Sequence, residues 1–271
     1  MLSATDADAL YRTLGMRQAP QLIDVRKEPA YATDRRMLPG ALRGHPEQLP
    51  QWRAQLIPER PIVVYCVHGH EVSQGIARQL HQAGLNATYL EHGQQGWIEQ
   101  GYPTIRQRPE IDNTPSRWIT RARPKIDRLA CPWLIRRFID PHAAFFYTPA
   151  ALVREQAEIL QAEPFDIPQV QFSHRGERCS FDAFLEDFEL HDPSLAHLAT
   201  IIRAADTGIP ETSPQAHGLL AISLGLSAVI EDDYVLLEQA MTIYDGLYAW
   251  CKQAQGETHA WPQATNHKEP Y

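Results

Sequence analysis

Two hydrophobic periods share the first half of the chain. Short runs rich in apolar residues, Gln21–Val25 and Pro61–Tyr65, predict buried strands, and Ala87–Leu90 predicts a shorter one. Between them the spacing changes to that of helices. Ser3–Leu14 is amphipathic with Ser3 placed to cap it, and Pro46–Leu56 carries Leu49, Trp52 and Leu56 on one side. Ser73–Ala83 turns Ile76, Ala77 and Leu80 inward and stops at Gly84. Pro39-Gly40-Ala41 reads as a turn, and Gly93–Pro103 as a turn with a short helix. Strands separated by helices predict a parallel sheet covered on both faces.

The pattern then changes. Arg106–Pro115 is polar, contains two prolines and has no apolar period, which marks a linker. Beyond it, Arg117–Arg121, Ala144–Tyr147 and Val170–Phe172 are strand candidates, and Asp127–Phe138 is helical. From Ser180 the chain is mostly helical, over Ser180–Phe188 with Ser180 as cap, Ser194–Ala205, Ser213–Val229 and Asp233–Lys252. The last is apolar on nearly every side, as a central helix is. The expected organisation is α/β: residues 1–104 with a parallel sheet and flanking helices, a linker over 105–116, a mainly helical α+β domain over 117–254, and a polar tail over 255–271.

Composition narrows the class. With 271 residues, 44% of them hydrophobic and 21% charged, each half can bury its own core. A net charge of −8 argues against nucleic acid as a partner. No apolar run approaches the ~18 residues of a spanning helix, so no membrane partner is expected. The start MLSATDADALYRTLG carries acids rather than a basic segment before an apolar run, unlike a secretory signal. The four cysteines, Cys66, Cys131, Cys179 and Cys251, form no CxxC pair, so the expectation is a cytoplasmic protein with free thiols. The oligomeric state stays open.

The segment PIVVYCVHGHEVSQGIARQL carries the clearest chemistry. A buried strand ends at Tyr65, a loop follows, and a helix is predicted from Ser73. A cysteine so placed faces backbone N–H groups and the positive end of a helix dipole, which favour its thiolate and can hold an oxyanion. The anion-binding loop is Val67, His68, Gly69, His70, Glu71 and Val72, closed by Ser73. Gly69 lets the backbone fold into a cup, while His68, His70 and Glu71 are neighbours able to move protons. On spacing alone, an inert core thiol is an equally good account of Cys66.

Four motifs in order separate these accounts. Leu22-Ile23-Asp24-Val25-Arg26, Pro39-Gly40-Ala41, the strand into Cys66 with its Gly69 loop, and Gly93–Pro103 resemble the rhodanese family across this half. The closing motif departs in having Gln94 and Gln95 where a second glycine is common. The resemblance implies that Cys66 is catalytic and carries a persulfide, with a small sulfur donor such as thiosulfate, an acceptor thiol and no required cofactor. It implies a supporting role for Asp24 and Arg26, most simply a salt bridge ordering the sheet edge. Common single-domain sulfurtransferases have six loop residues, whereas Cys66–Val72 counts seven. Seven resembles the rhodanese-like phosphatases and arsenate reductases, but those end the loop in an anion-clamping Arg where Val72 stands here.

In the second half, His174, Glu177, Cys179 and Asp182 are metal-ligand types whose spacing matches no zinc motif. A strand-to-helix turn, with Ser180 capping and Asp182 in the first turn, is the simpler account of them, and a metal there stays undetermined. Asp206 falls near His191, His197 and His217 in sequence, and Arg128, Arg136 and Arg137 offer either an anion site or a solvated helix face. Residues 117–252 resemble the C-terminal domain of the ChrB-type chromate resistance family. The matching segments are Thr120–Phe138 with Ile139-Asp140-Pro141, Pro164–Pro168, Gly176–Phe184, Arg203–Thr207, Gly218–Leu226 and Tyr244–Trp250. That resemblance implies a place in chromate resistance, with chromate as a partner, and brings no catalytic residue with it. Three functions follow as expectations: a sulfurtransferase in chromate resistance, a chromate- or metal-responsive thiol sensor, and a thiol-dependent oxyanion reductase.

Overall fold

In the computed structural model, which describes residues 3–106 and 115–257, the apolar strand runs of the first half lie side by side. In chain order the elements are β1 (Ala4–Thr5), α1 (Ala7–Thr13), β2 (Gln21–Asp24), α2 (Glu28–Thr33), β3 (Arg36–Met37), β4 (Ala41–Arg43), α3 (Leu49–Arg53), β5 (Ile62–Tyr65), α4 (Glu71–Gln82), β6 (Ala87–Leu90), α5 (Gly93–Glu99) and β7 (Ile105–Arg106). Five strands pair in parallel in the order β1-β6-β5-β2-β4. Every residue of β2 and β5 is buried, as strands covered on both faces must be. Their register sets Asp24 opposite Tyr65, so the acid and the residue before Cys66 share the carboxyl edge of the sheet. Open parallel sheets bind ligands beyond that edge.

The second half continues with β8 (Arg117–Arg121), α6 (Asp127–Leu134), β9 (Ala144–Thr148), α7 (Val153–Leu160), β10 (Glu163–Pro164), α8 (Ser180–Asp187), α9 (Pro193–Asp206), α10 (Pro214–Val229) and α11 (Asp233–Ala249). A small parallel sheet of order β10-β8-β9 is joined by packed helices. The α/β class with a helical second part is therefore as the periodicity predicts. Pro132 lies inside α6, and the helix widens into a π-turn over Ile135–Ile139.

Local boundaries differ from the sequence expectation. Asp6, not Ser3, caps α1 by accepting from the Ala9 N–H, which leaves Ala4 and Thr5 free to pair with Tyr89 and Leu90. Helix α4 begins at Glu71, two residues before Ser73. Helix α8 is capped by Cys179, not Ser180, because the Asp182 carboxylate reaches back to the Cys179 N–H at 3.1 Å. Val170–Phe172 forms no strand, only a bridge between Phe172 and Phe165. Ile105 and Arg106, assigned to the linker, pair with Met37 and Arg36. The central part of that linker and most of the tail, 107–114 and 258–271, lie outside the described residues.

One apolar cluster runs through both halves, joining Leu10, Leu14, Trp97 and Ile105 to Trp133, Phe138, Leu195 and Tyr248. Cys66 belongs to a second cluster with Ile23, Val25, Val64, Ile76 and Leu80. All four cysteines are buried and unpaired, and no helix among the described residues is long and apolar enough to cross a membrane.

Candidate functional site

The strand β5 delivers Cys66 to the start of α4. The thiol is buried, and its Sγ lies 3.2 Å from Ser73 Oγ. That hydroxyl also lies 3.2 Å from the His70 carbonyl. His70 occupies the cap position without any side-chain cap bond. The first N–H groups of α4 therefore have no carbonyl one turn back and no side chain in its place, which is how a helix start receives an anion. The loop is pinned from the other side. Gln94 and Gln95 donate their N–H groups to the carbonyls of Cys66 and Val67 at 2.9 Å each. Gly69 adopts φ +72°, and a Cβ there would come within 2.5 Å of the Leu90 carbonyl oxygen. Close approach and a left-handed backbone both require glycine. Of the loop side chains, His68, His70 and Glu71 are exposed, Val67 and Val72 half-buried, and Ser73 buried. His68, His70 and His92 line one side of an open cavity of about 490 Å³.

Asp24 and Arg26 form a fully buried pair, with Arg26 Nε 2.8 and 3.0 Å from the two carboxylate oxygens and Nη2 2.5 Å from Oδ2. The other guanidinium N–H groups reach the carbonyls of Asp34 and Arg36, both at 3.1 Å, and Gln94 Oε1 at 2.7 Å. All five donors are thus used. Gln94, the departure from the glycine pattern, links this pair to the Cys66 loop. The pair raises the Arg26 pKa through its bond to Asp24, against burial, which lowers it and is the largest single influence.

A different constellation occupies the second half. Asp127 opens α6, Asp166 follows β10 with φ +52°, and Asp206 ends α9. All three surround His174: its Nε2 lies 3.3 Å from Asp127 Oδ2, 3.4 Å from Asp166 Oδ1 and 3.2 Å from Asp206 Oδ2. Asp166 also accepts from Arg121 Nη2 at 2.7 Å and Ser180 Oγ at 2.9 Å, with Arg128 Nε at 3.2 Å. Burial, then the charges of Asp127 and Asp166, push the Asp206 carboxyl up to about 7. The hydrogen bond to Asp127, followed by the charges of the surrounding acids and opposed by burial, raises His174 to about 9. Burial pushes the thiols of Cys131 and Cys179 well above the ordinary thiol range.

Of the four metal-ligand types in the His174–Asp182 segment, only His174 belongs to this cluster. Glu177 is exposed, and Cys179 with Asp182 forms the α8 cap. Asp182 is held by Arg203 at 2.6 and 2.9 Å. Arg128, Arg136 and Arg137 do not form an anion site, since they pair separately with Asp166, Glu238 and Asp245. His197 packs against Trp250 rather than Asp206. Asp127, Asp166 and Asp206 each lie in a segment singled out above, but no local spacing links positions so far apart. A carboxylate ending a helix, against the dipole, is the one local sign that Asp206 has a task.

Comparison with known proteins follows the same division. Residues 6–100 match the family model of the rhodanese-like domain, and residues 118–251 that of the ChrB C-terminal domain. The chain is 36% identical over 158 residues to Protein ChrB of Cupriavidus metallidurans, covering 58% of this chain and 45% of that protein. It therefore spans under half the length of that relative. Among solved structures, a rhodanese-related protein from Thermoplasma volcanium is 27% identical, with a TM-score of 0.33 over 38% of this chain and 96% of its own. A thiosulfate sulfurtransferase from Pseudomonas aeruginosa is 22% identical, with a TM-score of 0.35 over 40% of this chain and 20% of its own.

Proposed function

We propose that this chain, a rhodanese-like domain joined to a ChrB C-terminal domain, is a sulfurtransferase acting in chromate resistance, with Cys66 as its nucleophile. The observation that carries the reading is the position of Cys66 Sγ, 3.2 Å from Ser73 Oγ in the first turn of α4, a helix whose start has no side-chain cap. Thiosulfate is a suitable donor. The Cys66 thiolate attacks the outer sulfur, the S–S bond of thiosulfate breaks, and sulfite leaves with the electron pair. The product is a persulfide, Cys66–S–S⁻. An acceptor thiolate then attacks the terminal sulfur, takes it as its own persulfide, and returns Cys66 as thiolate. No net oxidant enters. The free N–H groups of α4 and the Ser73 hydroxyl support the charge on sulfur and on the bound anion throughout.

The exposed His68 and His70 beside the cavity supply a route for protons to the acceptor. Cys131 and Cys179 are poorer candidates for this step, because burial holds both as thiols. The association with chromate resistance rests on the ChrB domain over 118–251. The test is thiosulfate:cyanide sulfur transfer by the full chain, with intact mass measured after thiosulfate treatment. Wild type should turn over and gain about 32 Da, one sulfur atom, while Cys66→Ala should do neither. Full activity in the variant would remove Cys66 from the mechanism.

A further inference from the structure

The His174 cluster lies outside the residues assigned to sulfur transfer, and its chain neighbours Ile126, Phe172 and Ala205 belong to a different apolar cluster from Cys66. Three carboxylate oxygens stand 3.2 to 3.4 Å from a single imidazole nitrogen. One nitrogen carries at most one proton and can satisfy only one of them well. Asp166 has other partners in Arg121, Arg128 and Ser180, and Asp127 accepts the Ser180 N–H at 3.2 Å. Among the described residues, His174 is the one cationic side chain within 4.0 Å of the Asp206 carboxylate, which lies at the carboxyl end of α9. Negative charge is disfavoured there.

The spacing is that of a coordination shell. Donor atoms of Asp127, His174 and Asp206 all lie within 4.8 Å of one another. Ligands about 2.1 Å from a tetrahedral divalent ion stand ~3.4 Å apart, close to the separations from His174 to the two acids. An independent observation comes from the neighbouring strand. Thr120 is fully buried, and its hydroxyl finds no hydrogen-bond partner among the described residues. Strand alternation places it on the face of Trp118, which packs against Phe172 and Phe184 beside the His174 segment and α8.

We propose that Asp127, His174 and Asp206 bind a divalent transition-metal ion, with Asp166 holding the rim through its two arginines. Two carboxylates and one imidazole suit Zn²⁺, Mn²⁺ or Fe²⁺, and no thiolate joins the set. His174 is 41% exposed, so the cluster meets solvent on the side of this ligand, where a fourth position would lie. Three protein ligands with an open position is the arrangement of a reactive rather than a structural metal centre. The site does not depend on the sulfur-transfer reading.

The test uses the full chain, stripped with chelator and titrated with Zn²⁺ and with Mn²⁺ by calorimetry, followed by elemental analysis. Wild type and Cys66→Ala should each bind one equivalent. Asp206→Asn and His174→Gln should bind at least about tenfold more weakly, and Glu177→Gln as wild type. Both metals binding wild type no tighter than about 1 mM, or both site variants binding as wild type, would overturn the assignment. Should the variants misfold, wild type alone decides: bound metal must raise its melting temperature, and an unchanged melt at saturation would end the proposal.

Discussion

Gly69 shows how little freedom the residues around Cys66 have. Its φ of +72° belongs to glycine, and an added methyl would stand 2.5 Å from Leu90 O and 2.9 Å from the amide nitrogens of His92 and Gly93. The obstruction is backbone, which cannot swing aside. Gly69→Ala should therefore lose about 1 to 3 kcal/mol in urea unfolding and lower sulfur transfer with it. An unchanged unfolding midpoint would show that the loop is laxer than its contacts. At this scale the sequence was informative where chemistry and backbone geometry coincide. Cys66 and Gly69 stand out by type and spacing, and the Asp24–Arg26 pair through the family resemblance. Gln94 did not, because its role depends on a guanidinium 68 positions away in the chain. Viewed alone it is a glycine pattern broken; beside Arg26 it fills a donor that burial would otherwise leave empty.

Elements were legible in kind and less so at their ends. The apolar periods located the major strands and helices, while the cap at each start depended on which side chain reached the free N–H groups. Serine is a common cap, yet Asp6 and Asp192 cap α1 and α9, and at α8 the carboxylate three residues on fixes the start. That acid also ties two helices together, since Asp182 on α8 receives both arms of Arg203 on α9. Removing it strands a cation at the helix junction and leaves the Cys179 N–H unbonded. Asp182→Ala should cost about 3 kcal/mol, read as a lower denaturation midpoint. A loss under about 1 kcal/mol would mean that Arg203 finds another partner in solution. Elements also explain why the His174 cluster escaped detection. Its four members sit on an α6 start, a turn after β10, a loop and an α9 end, so only packing brings them together.

On the scale of the whole molecule, the two halves share polar contacts as well as a core. Tyr11 donates to Asp192 at 2.6 Å, and Arg106 N–H to the Phe188 carbonyl at 2.8 Å. Lys252 reaches across to the carbonyls of Tyr11 and Leu14 at 2.6 and 3.1 Å. Burial lowers the Lys252 pKa from 10.5 to about 8, partly offset by Asp192. Between those values the unfolded chain holds a proton that the folded chain has released. Stability contributed by this group therefore rises as pH goes from about 8 to 10.5, and below 8 the burial cost is fully present. Subtracting the melting curve of Lys252→Met from that of wild type across this range isolates the contribution from thiols and tyrosines. Wild type should gain on the variant as pH rises, and a flat difference would place Lys252 in water. The division into halves was visible in sequence as a change of period. Their contact was not, because the residues that meet are apolar, bond to backbone carbonyls as Lys252 does, or pair across 181 positions as Tyr11 and Asp192 do.

One of those backbone contacts changes how the first half should be regarded. Gly40, in the turn before β4, donates its N–H to the Phe138 carbonyl at 2.6 Å, within the π-turn that continues α6. Its φ of +73° and the approach of Arg137 O to within 3.0 Å of a would-be Cβ leave no room for another residue. The protection of this amide against deuterium thus belongs to neither the parallel sheet nor the turn. It is set by how often the halves part, which makes an amide of the thiol-bearing half a reporter on the half that holds His174.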